Sequence, residues 1–383
     1  MPCLVTSRLL ASCVVGALVA VACRGAETVS TPVAVASDDP GKGDGPAAEA
    51  SAGGGTDTKA AGAGQAGAVA GPGEAAETGG AGAKAPAEPA AGGTVEVAKL
   101  PDGTPILPCE EPPPGMACIP GGPFLRGTDA EEPTNARPQA TVWLQTFYLD
   151  VYEVTYEQYK ACEKGLGVPS DDPGAPKPTE RCDKGGPQYL DFDHPKMPIQ
   201  GVSWFHSRKY CQVFGKDLPT EAQWEKAARG SEGELYPWGN EPVTCERAII
   251  KDAKGRSCGL LKAKSKPETG RPWDVGSRPV GRYGLYDMMG NSWEWVGDWY
   301  SKSYADCGAA CEGIDPKGPC GGAENCPRHY NRVVRGGSWY WEAEHATGIR
   351  RRPHFPANEP FHHFGFRCAA SAEQAVALRG AAG

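Results

Sequence analysis

Residues 218–230 read LPTEAQWEKAARG and carry the clearest helix signals of the chain. Thr220 and Gln223 form a capping box, the pattern in which two side chains accept hydrogen bonds from otherwise unpaired backbone N–H groups. The predicted helix runs over Trp224, and Gly230 supplies the stop. The stretch therefore predicts one short helix with an indole ring in its middle.

Two further helices are predicted upstream of this stretch. Thr155 and Gln158 form a second capping box, which opens a helix through about Glu163. Ser203 is the expected N-cap of another helix, in which bulky apolar side chains fall near one face and which Gly215 ends. All three helices are short, so long segments of the chain must fold without them.

Strand signals are few, and the remaining sequence is rich in turn-forming residues. The chain contains 52 Gly and 36 Pro, and Gly, Pro, Asn and Asp favour turns and irregular loops. The strand signals lie at residues 141–148 and 332–334. We therefore predict an α+β fold with little regular secondary structure, which disulfides, with or without a metal ion, would have to staple.

The N-terminus has the features of an export signal. Arg8 supplies the positive charge, and residues 9–22 supply an apolar core of suitable length. Small residues precede Cys23, as in bacterial lipoproteins, where the cysteine becomes the acylated first residue. Ordinary cleavage at the same site is the alternative. We expect an exported protein of the cell envelope, anchored by lipid on Cys23 to a membrane that faces the periplasm or the exterior.

Composition divides the rest of the chain. Residues 24–107 consist mainly of Ala, Gly, Pro, Thr and acidic residues and contain no aromatic residue. Such a segment buries too little apolar surface to offset the entropy of ordering, which predicts a disordered tether. Residues 108–371 are expected to form one folded domain, and residues 372–383 a C-terminal tail.

Charge and hydropathy exclude two classes of protein. The formal net charge is −8, and no basic patch is available to neutralise phosphates, which argues against nucleic acid as a partner. No apolar run reaches the about 18 to 20 residues of an ordinary membrane span. Membrane attachment is therefore expected through the lipid anchor alone.

Twelve cysteines belong to the predicted domain, because Cys3 and Cys13 would leave with the signal and Cys23 would carry the lipid. An even number in an exported protein indicates disulfide bonds. The disulfide candidates are Cys109, Cys118, Cys162, Cys182, Cys211, Cys245, Cys258, Cys307, Cys311, Cys320, Cys326 and Cys368.

The pairing of these cysteines is only partly suggested by their spacing. Cys109–Cys118 and Cys245–Cys258 are plausible local pairs, and the rest of the connectivity stays open. The cluster at residues 307–326 could instead hold zinc. It lacks Cys-x-x-Cys spacing, however, and an oxidising compartment favours bridges.

A series of short motifs, in order over about residues 115–370, resembles the formylglycine-generating enzyme (sulfatase-modifying factor) domain. The matching segments include MACIPGGPF at 116–124, EVT at 153–155, LPTEAQWE at 218–225, GNSWEW at 290–295, RGGSW at 335–339 and GFRC at 365–368. The resemblance implies a variant of the C-type lectin fold.

The resemblance also implies what chemistry to look for. The oxidising family members hold copper(I) with two thiols after the Gly-Gly-Ser segment and use O2 to convert a sulfatase cysteine into formylglycine. In this chain the two positions are Trp341 and Ala346. Indole and methyl groups cannot replace thiolates as copper ligands. We therefore expect no copper site and assign no catalytic residue.

Histidines near the lost positions leave another metal open. His345 lies beside the second position, and His354, His362 and His363 follow. Histidine binds iron or copper, but the iron-using relatives take ligands partly from an extra helical domain that this chain lacks. Ordinary loop histidines are the alternative.

The resemblance further implies one calcium site. By position its ligands are the Asp287 and Glu294 carboxylates with the backbone oxygens of Gly290 and Ser292. Oxygen ligands of this kind suit a hard cation, and local pairing of the two carboxylates is the alternative. A second family site begins with an asparagine where this chain has Ile249, so one site is expected.

The family cleft accepts an extended peptide, which makes a peptide or protein the expected ligand. By position the candidate groove is lined by Trp293, Ser338, Trp339, Trp341, His345 and Arg350. Residues 350–352 form a basic run that could receive an acidic ligand or be held in salt bridges.

We expect a non-catalytic binding or interaction module, a pseudoenzyme of this family at the cell envelope. Two alternatives remain at this stage. One is a metal-dependent oxidase of the family that uses other ligands, for formylglycine generation or other iron or copper chemistry. The other is a structural scaffold lipoprotein of the envelope.

Overall fold

The computed structural model describes residues 97–168, 177–187, 191–260, 270–357 and 363–381. The chain divides into two units, Met1–Ala87 and Glu88–Gly383, and all described residues belong to the second. The expected export signal, Cys23 and most of the expected tether therefore lie outside the described residues, as does His362.

Short strands dominate the regular structure. They are β1 (Met116–Ile119), β2 (Gly122–Arg126), β3 (Ala140–Leu144), β4 (Phe147–Asp150), β5 (Trp293–Trp299), β6 (Arg332–Arg335), β7 (Arg352–His354), β8 (Phe364–Gly365) and β9 (Ala369–Ser371). The helices are α1 (Tyr156–Glu163), α2 (Trp204–Val213), α3 (Glu221–Arg229), α4 (Tyr304–Cys307) and α5 (Ala372–Ala381). Turns, short 3-10 segments and loops make up the remainder, which confirms the predicted α+β fold with little regular structure.

The strands form three small sheets. β1, β4 and β9 form an antiparallel sheet in that order, and β2 pairs with β3. The largest sheet has the order β7-β6-β5-β8, in which β5 and β8 run parallel. β5 lies inside this sheet and contributes several buried indole rings to the core.

The predicted strand at residues 141–148 is wrong as a single element. The structure has two strands there, β3 and β4, which belong to different sheets. Gln145 and Thr146 interrupt the run, and their side chains bond the backbone of residues 105–107 instead of a neighbouring strand. The strand-forming residues are nearly continuous, but the pairing partners change. The predicted strand at 332–334 is confirmed as β6.

The three predicted helices are confirmed, together with their caps. Both capping boxes are complete, at Thr155 for α1 and at Thr220 for α3. Ser203 caps α2 by accepting a hydrogen bond from the His206 backbone N–H. Across the described ranges, no helix combines the length and apolar character needed to span a membrane.

Two helices were not predicted. α4 is a single turn, and α5 occupies most of the segment assigned as a C-terminal tail. Ala375 and Leu378 of α5 are buried against Met116 and Tyr148 of the first sheet. The end of the described chain is therefore packed onto the domain.

Six disulfides join the twelve cysteines. Cys109–Cys118 and Cys245–Cys258 are paired as suggested by their spacing. The cluster at 307–326 forms two local bridges, Cys307–Cys311 and Cys320–Cys326, rather than a zinc site. The remaining bridges are Cys162–Cys182 and Cys211–Cys368. The last one ties α2 to the segment between β8 and β9.

Candidate functional site

Trp341 and Ala346 occupy different environments. Trp341 is partly exposed, and its ring centroid lies 5.0 Å from that of His345. Ala346 is fully buried in the main core cluster. A Cβ added to Gly337, whose φ is +80°, would lie 2.8 Å from the Ala346 Cα, so the Gly-Gly-Ser segment packs directly against this residue. Neither position carries a metal-binding atom.

Only part of the predicted groove is accessible. Trp293, Ser338 and Trp339 are fully buried, so their assignment as groove-lining residues needs correction. Trp339 packs with Phe192 and Ile249 in a core cluster. The other predicted residues, Trp341, His345 and Arg350, are half-buried. Trp293 begins the inner strand β5, and Trp339 follows β6, and both point into the core, which position in the chain does not reveal.

The accessible residues form a small aromatic and cationic patch, which we call the Trp341 surface and define as Trp341, His345, Arg350 and Arg352. The Arg352 guanidinium lies 4.6 Å from the Trp341 ring centroid and 5.9 Å from that of the buried Trp293. Burial, reinforced by Arg350, lowers the pKa of His345. The histidine is therefore mainly neutral at pH 7, and the patch draws its charge from the arginines.

Two indole N–H groups at this surface lack acceptors. The Nε1 atoms of Trp293 and Trp341 are buried, and within the described part of the chain neither has a hydrogen-bond partner. Burying such a donor without an acceptor is unfavourable. Both rings adjoin His345, whose centroid is 6.5 Å from that of Trp293. Because both donors are buried, the patch offers a ligand its aromatic ring and the positive charge of Arg350 and Arg352 rather than these N–H groups.

The histidines do not form an evident metal site. The His363 ring stacks on Tyr340 at 5.2 Å and lies 6.3 Å from the Trp341 ring. The His354 ring packs on Phe364 at 4.2 Å. Among the residues that the structure describes, no group of three or more His, Cys, Asp or Glu side chains is arranged to hold a metal ion.

The three arginines at 350–352 lie in different environments. Arg351 is buried and donates hydrogen bonds to both carboxylate oxygens of Glu221, at 2.7 and 2.9 Å. It is therefore held in a salt bridge within the core, the second of the two alternatives. Only Arg350 and Arg352 remain near the surface to meet a ligand.

The expected calcium ligands are brought together only in part. Both Glu294 oxygens accept hydrogen bonds from Arg367, at 2.7 to 3.0 Å, and one also accepts from Trp224. Asp287 Oδ2 accepts a hydrogen bond from the Gly276 backbone N–H at 2.6 Å. Asp287 Oδ1 is buried and has no partner among the described residues. Asp287, rather than Glu294, is the carboxylate with an oxygen to spare.

Glu153 is a further carboxylate that the sequence analysis did not assign to this site. It is buried, Oε2 accepts from Asn291 Nδ2 at 2.9 Å, and Oε1 has no partner within the described ranges. Burial first, and then Asp287 and Glu294, raise its pKa well above the usual value. The carboxylates are not arranged as a three-ligand metal group, but the oxygens of Asp287 and Glu153 that lack partners among the described residues are hard donors of the kind that a divalent cation prefers. The signal available in the sequence was the acidic residue Glu153 itself, which stands between Tyr152 and Val154 at the start of the EVT motif.

Comparisons with known proteins identify the family of the described domain. The family model described as "Sulfatase-modifying factor enzyme 1-like domain" matches residues 105–372. The formylglycine-generating enzyme of Thermomonospora curvata is 32% identical over 299 residues, covering 67% of this chain and 93% of that protein. A mouse protein named inactive C-alpha-formylglycine-generating enzyme 2 is 28% identical, over 68% of this chain and 86% of that protein.

A solved structure also matches the chain. PvdO from Pseudomonas aeruginosa is 24% identical, with a TM-score of 0.49, over 69% of this chain and all of that one.

Proposed function

The chain belongs to the sulfatase-modifying factor enzyme 1-like family, and we propose that it functions as a non-catalytic binding module. In this proposal the protein is exported and anchored to an envelope membrane by lipid on Cys23. It recognises a peptide or protein segment through the Trp341 surface. The fold follows from the family to which the chain belongs. We distinguish the chain from the oxidising members because Trp341 and Ala346 stand at the two copper positions.

The main support for the proposal is that the described domain has no free thiol. The two positions that hold copper(I) in the oxidising members are Trp341 and Ala346 in this chain. All twelve cysteines in the described residues are in disulfides. A disulfide sulfur has no thiolate charge to offer copper(I). The described domain therefore has no thiol that could take over the family reaction.

The chemistry of the Trp341 surface supports a peptide-like ligand. Acidic side chains of a peptide carry negative charge, and this surface places the Arg352 guanidinium beside the half-buried Trp341 ring. Aromatic and arginine side chains also contribute most strongly to protein interfaces.

An oxidation assay tests the loss of the family reaction. The purified full-length chain is supplied with copper(I) or, separately, iron(II), and mixed with a cysteine-containing sulfatase-type peptide. Oxygen uptake and peptide mass are followed, with the Thermomonospora curvata enzyme as positive control. We expect no aldehyde and no metal-dependent oxygen uptake. Conversion of the peptide would overturn the proposal, and oxygen uptake with iron would favour chemistry at the histidines.

A binding assay tests the recognition surface. The same peptide carries a fluorophore, and its anisotropy is followed on titration with the protein. We expect saturable binding that Trp341→Ala weakens about tenfold. The matched control is Trp238→Ala, at a partly exposed tryptophan that stacks on Tyr236. Absence of saturable binding, or equal losses in both variants, would count against this surface and leave a scaffold role.

We also propose that one calcium ion binds beside Asp287. The spare oxygens of Asp287 and Glu153 support this proposal, and the backbone oxygens of Gly290 and Ser292 lie on the same segment. Glu294 then serves to orient Arg367 instead of acting as a direct ligand. A bound ion would neutralise buried carboxylates and stabilise the loop before β5.

A further inference from the structure

A cavity of about 490 Å³ lies away from the Trp341 surface. Its walls come from the β3–β4 connection, α2, the segment that leads into α3, the end of β5, the disulfide-bonded loop around residues 315–322, and β9 with the start of α5. We call it the Asp298 cavity, defined by Asp298, Asp315, Lys317 and Glu373. Trp293 and Asp298 are five residues apart on β5, which separates this cavity from the Trp341 surface by about 16 Å along the strand.

Asp298 belongs to the cavity wall and is only 3% exposed. Its Oδ2 accepts a hydrogen bond from the Glu221 backbone N–H at 2.7 Å. Oδ1 has no hydrogen-bond or ion-pair partner among the described residues. A Cβ on Gly318, whose φ is +68°, would lie 2.8 Å from this oxygen, so glycine at that position leaves Oδ1 unobstructed on that side.

The cations near Asp298 are engaged elsewhere. Arg351 donates to Glu221 and to backbone carbonyls. Arg332 donates to three backbone carbonyls, those of residues 297, 323 and 324. Neither arginine forms an ion pair with Asp298 within the described part of the chain. A buried carboxylate without a paired cation is strongly disfavoured unless a bound group neutralises it.

The charges around the cavity are unbalanced. Arg208 and Asp217 neutralise each other through a bidentate contact. The remaining charged side chains of the wall are the carboxylates of Asp298, Asp315 and Glu373 and the exposed ammonium of Lys317. Asp315 accepts from the Gln145 backbone N–H, and Glu373 from the Ser371 hydroxyl. When Asp298 is ionised, the wall of the cavity therefore carries an excess of two negative charges.

We propose that the Asp298 cavity is a binding site for a small hydrophilic ligand that carries an ammonium group. The volume lies within the range of small-molecule sites. Besides Phe147 and Leu218, the wall consists mainly of polar, charged and small residues, which favours a hydrophilic ligand. The ammonium group would donate hydrogen bonds to Asp298 Oδ1 at the buried wall, while hydroxyl or amine groups would reach Asp315 and Glu373.

Titration of Asp298 gives the site a pH dependence. Burial first, and then Glu221, raise its pKa to about 7, against the opposing effects of the Glu221 N–H, Arg351 and Arg332. Across the cavity, Asp315, Lys317 and Glu373 also face this region. A bound ammonium favours the charged carboxylate. Binding should therefore release a proton near pH 7 and weaken as the pH falls below that value.

Calorimetric titration of the full-length chain tests the site. The probes are 1,4-diaminobutane and glucosamine, with glucose and succinate as uncharged and anionic controls. At about pH 8 we expect both amines to bind and neither control to do so. Asp298→Asn should weaken binding about tenfold. The amide oxygen can still accept from the Glu221 N–H, and thermal unfolding verifies that the variant folds.

Two more variants make the outcome specific. Lys317→Gln removes the wall ammonium and should tighten amine binding about threefold. Asp274→Asn changes a carboxylate that pairs with His194 outside the cavity wall, and it should have no effect. Trp341→Ala should leave amine binding unchanged, which separates this site from the proposed peptide surface. No amine binding at millimolar concentration, or equal binding to Asp298→Asn, would overturn the proposal.

Discussion

Glu225 of α3 lies among buried arginines and shows how single residues hold the domain together. Its Oε1 accepts hydrogen bonds from Gly127 N at 2.6 Å and from Arg229. Its Oε2 accepts from Arg335 at 2.8 Å and from the Tyr304 hydroxyl at 3.0 Å. Burial alone would raise its pKa, but Arg335 and Arg229 outweigh it and lower the pKa to about 2.

Glu225→Gln should destabilise the domain by about 3 kcal/mol at neutral pH, because it leaves buried arginines without their full countercharge. Urea unfolding measures the change. The control is Glu180→Gln, which breaks the exposed pair with Lys209 and should change stability by less than about 0.5 kcal/mol. Similar losses in both variants would contradict a special role for the buried carboxylate.

The same residue has a pH signature. The folded pKa of Glu225 is depressed to about 2 from an ordinary value of 4.5. Its stabilising contribution is therefore fully present above pH 4.5 and is lost as the pH falls towards 2. The difference in unfolding free energy between the natural chain and Glu225→Gln should shrink over that interval. A difference independent of pH would show that charge is not its origin.

Asp287 provides a residue-scale test of the calcium proposal. Adding calcium to chelator-treated protein should raise the thermal unfolding temperature, because the ion binds the folded chain only. Asp287→Asn should remove most of that increase. Asp274→Asn, outside the site, should respond like the natural chain. An equal increase in the Asp287 variant would place the ion elsewhere.

At the scale of elements, the disulfides compensate for the scarcity of regular structure. Cys211 of α2 and Cys368 are separated by 157 residues, whereas Cys307 and Cys311 are separated by only 4. In the chain-entropy view, closing a longer loop restricts the unfolded chain more strongly. The bridge from α2 to the segment before β9 should therefore stabilise the domain more than the Cys307–Cys311 bridge does.

Replacing Cys211 and Cys368 together by Ala should lower the free energy of unfolding by about 5 kcal/mol, against about 2 kcal/mol for the Cys307/Cys311 double replacement. Chemical denaturation with the other bridges intact measures both. Equal losses would show that local strain or packing, rather than loop length, sets the contribution of each bridge.

At the scale of the whole molecule, the proposed lipid anchor would hold the domain at a membrane. Cys23→Ser removes the thiol that we expect to carry the lipid. In a bacterium that processes lipoproteins, the natural chain should partition into detergent and carry fatty acid, and the variant should not. Cys13→Ser, within the expected signal, is the control and should behave like the natural chain. Detergent partitioning of Cys23→Ser would contradict the anchor.

Local signals in the sequence were sufficient for the helices but not for all strands. The caps at Thr155, Ser203 and Thr220 act within a few residues, so the chain itself specifies where those helices begin. A strand is completed by partners that are distant in sequence. Residues 141–148 are rich in strand-forming residues, yet β3 and β4 belong to different sheets. Gln145 and Thr146 mark the change only when their backbone partners are known.

The sequence by itself determined the family, the absence of thiols at the two copper positions and the even set of cysteines. The first two depend on residue identity at known places in motifs, and the third depends on a count of the cysteines in the domain. Tertiary structure alone decided that Trp293, Ser338 and Trp339 are buried, that Glu153 joins Asp287, and that Asp298 faces a cavity. The physical reason is that exposure and electrostatic environment depend on contacts between segments far apart in the chain. Six such segments build the Asp298 cavity.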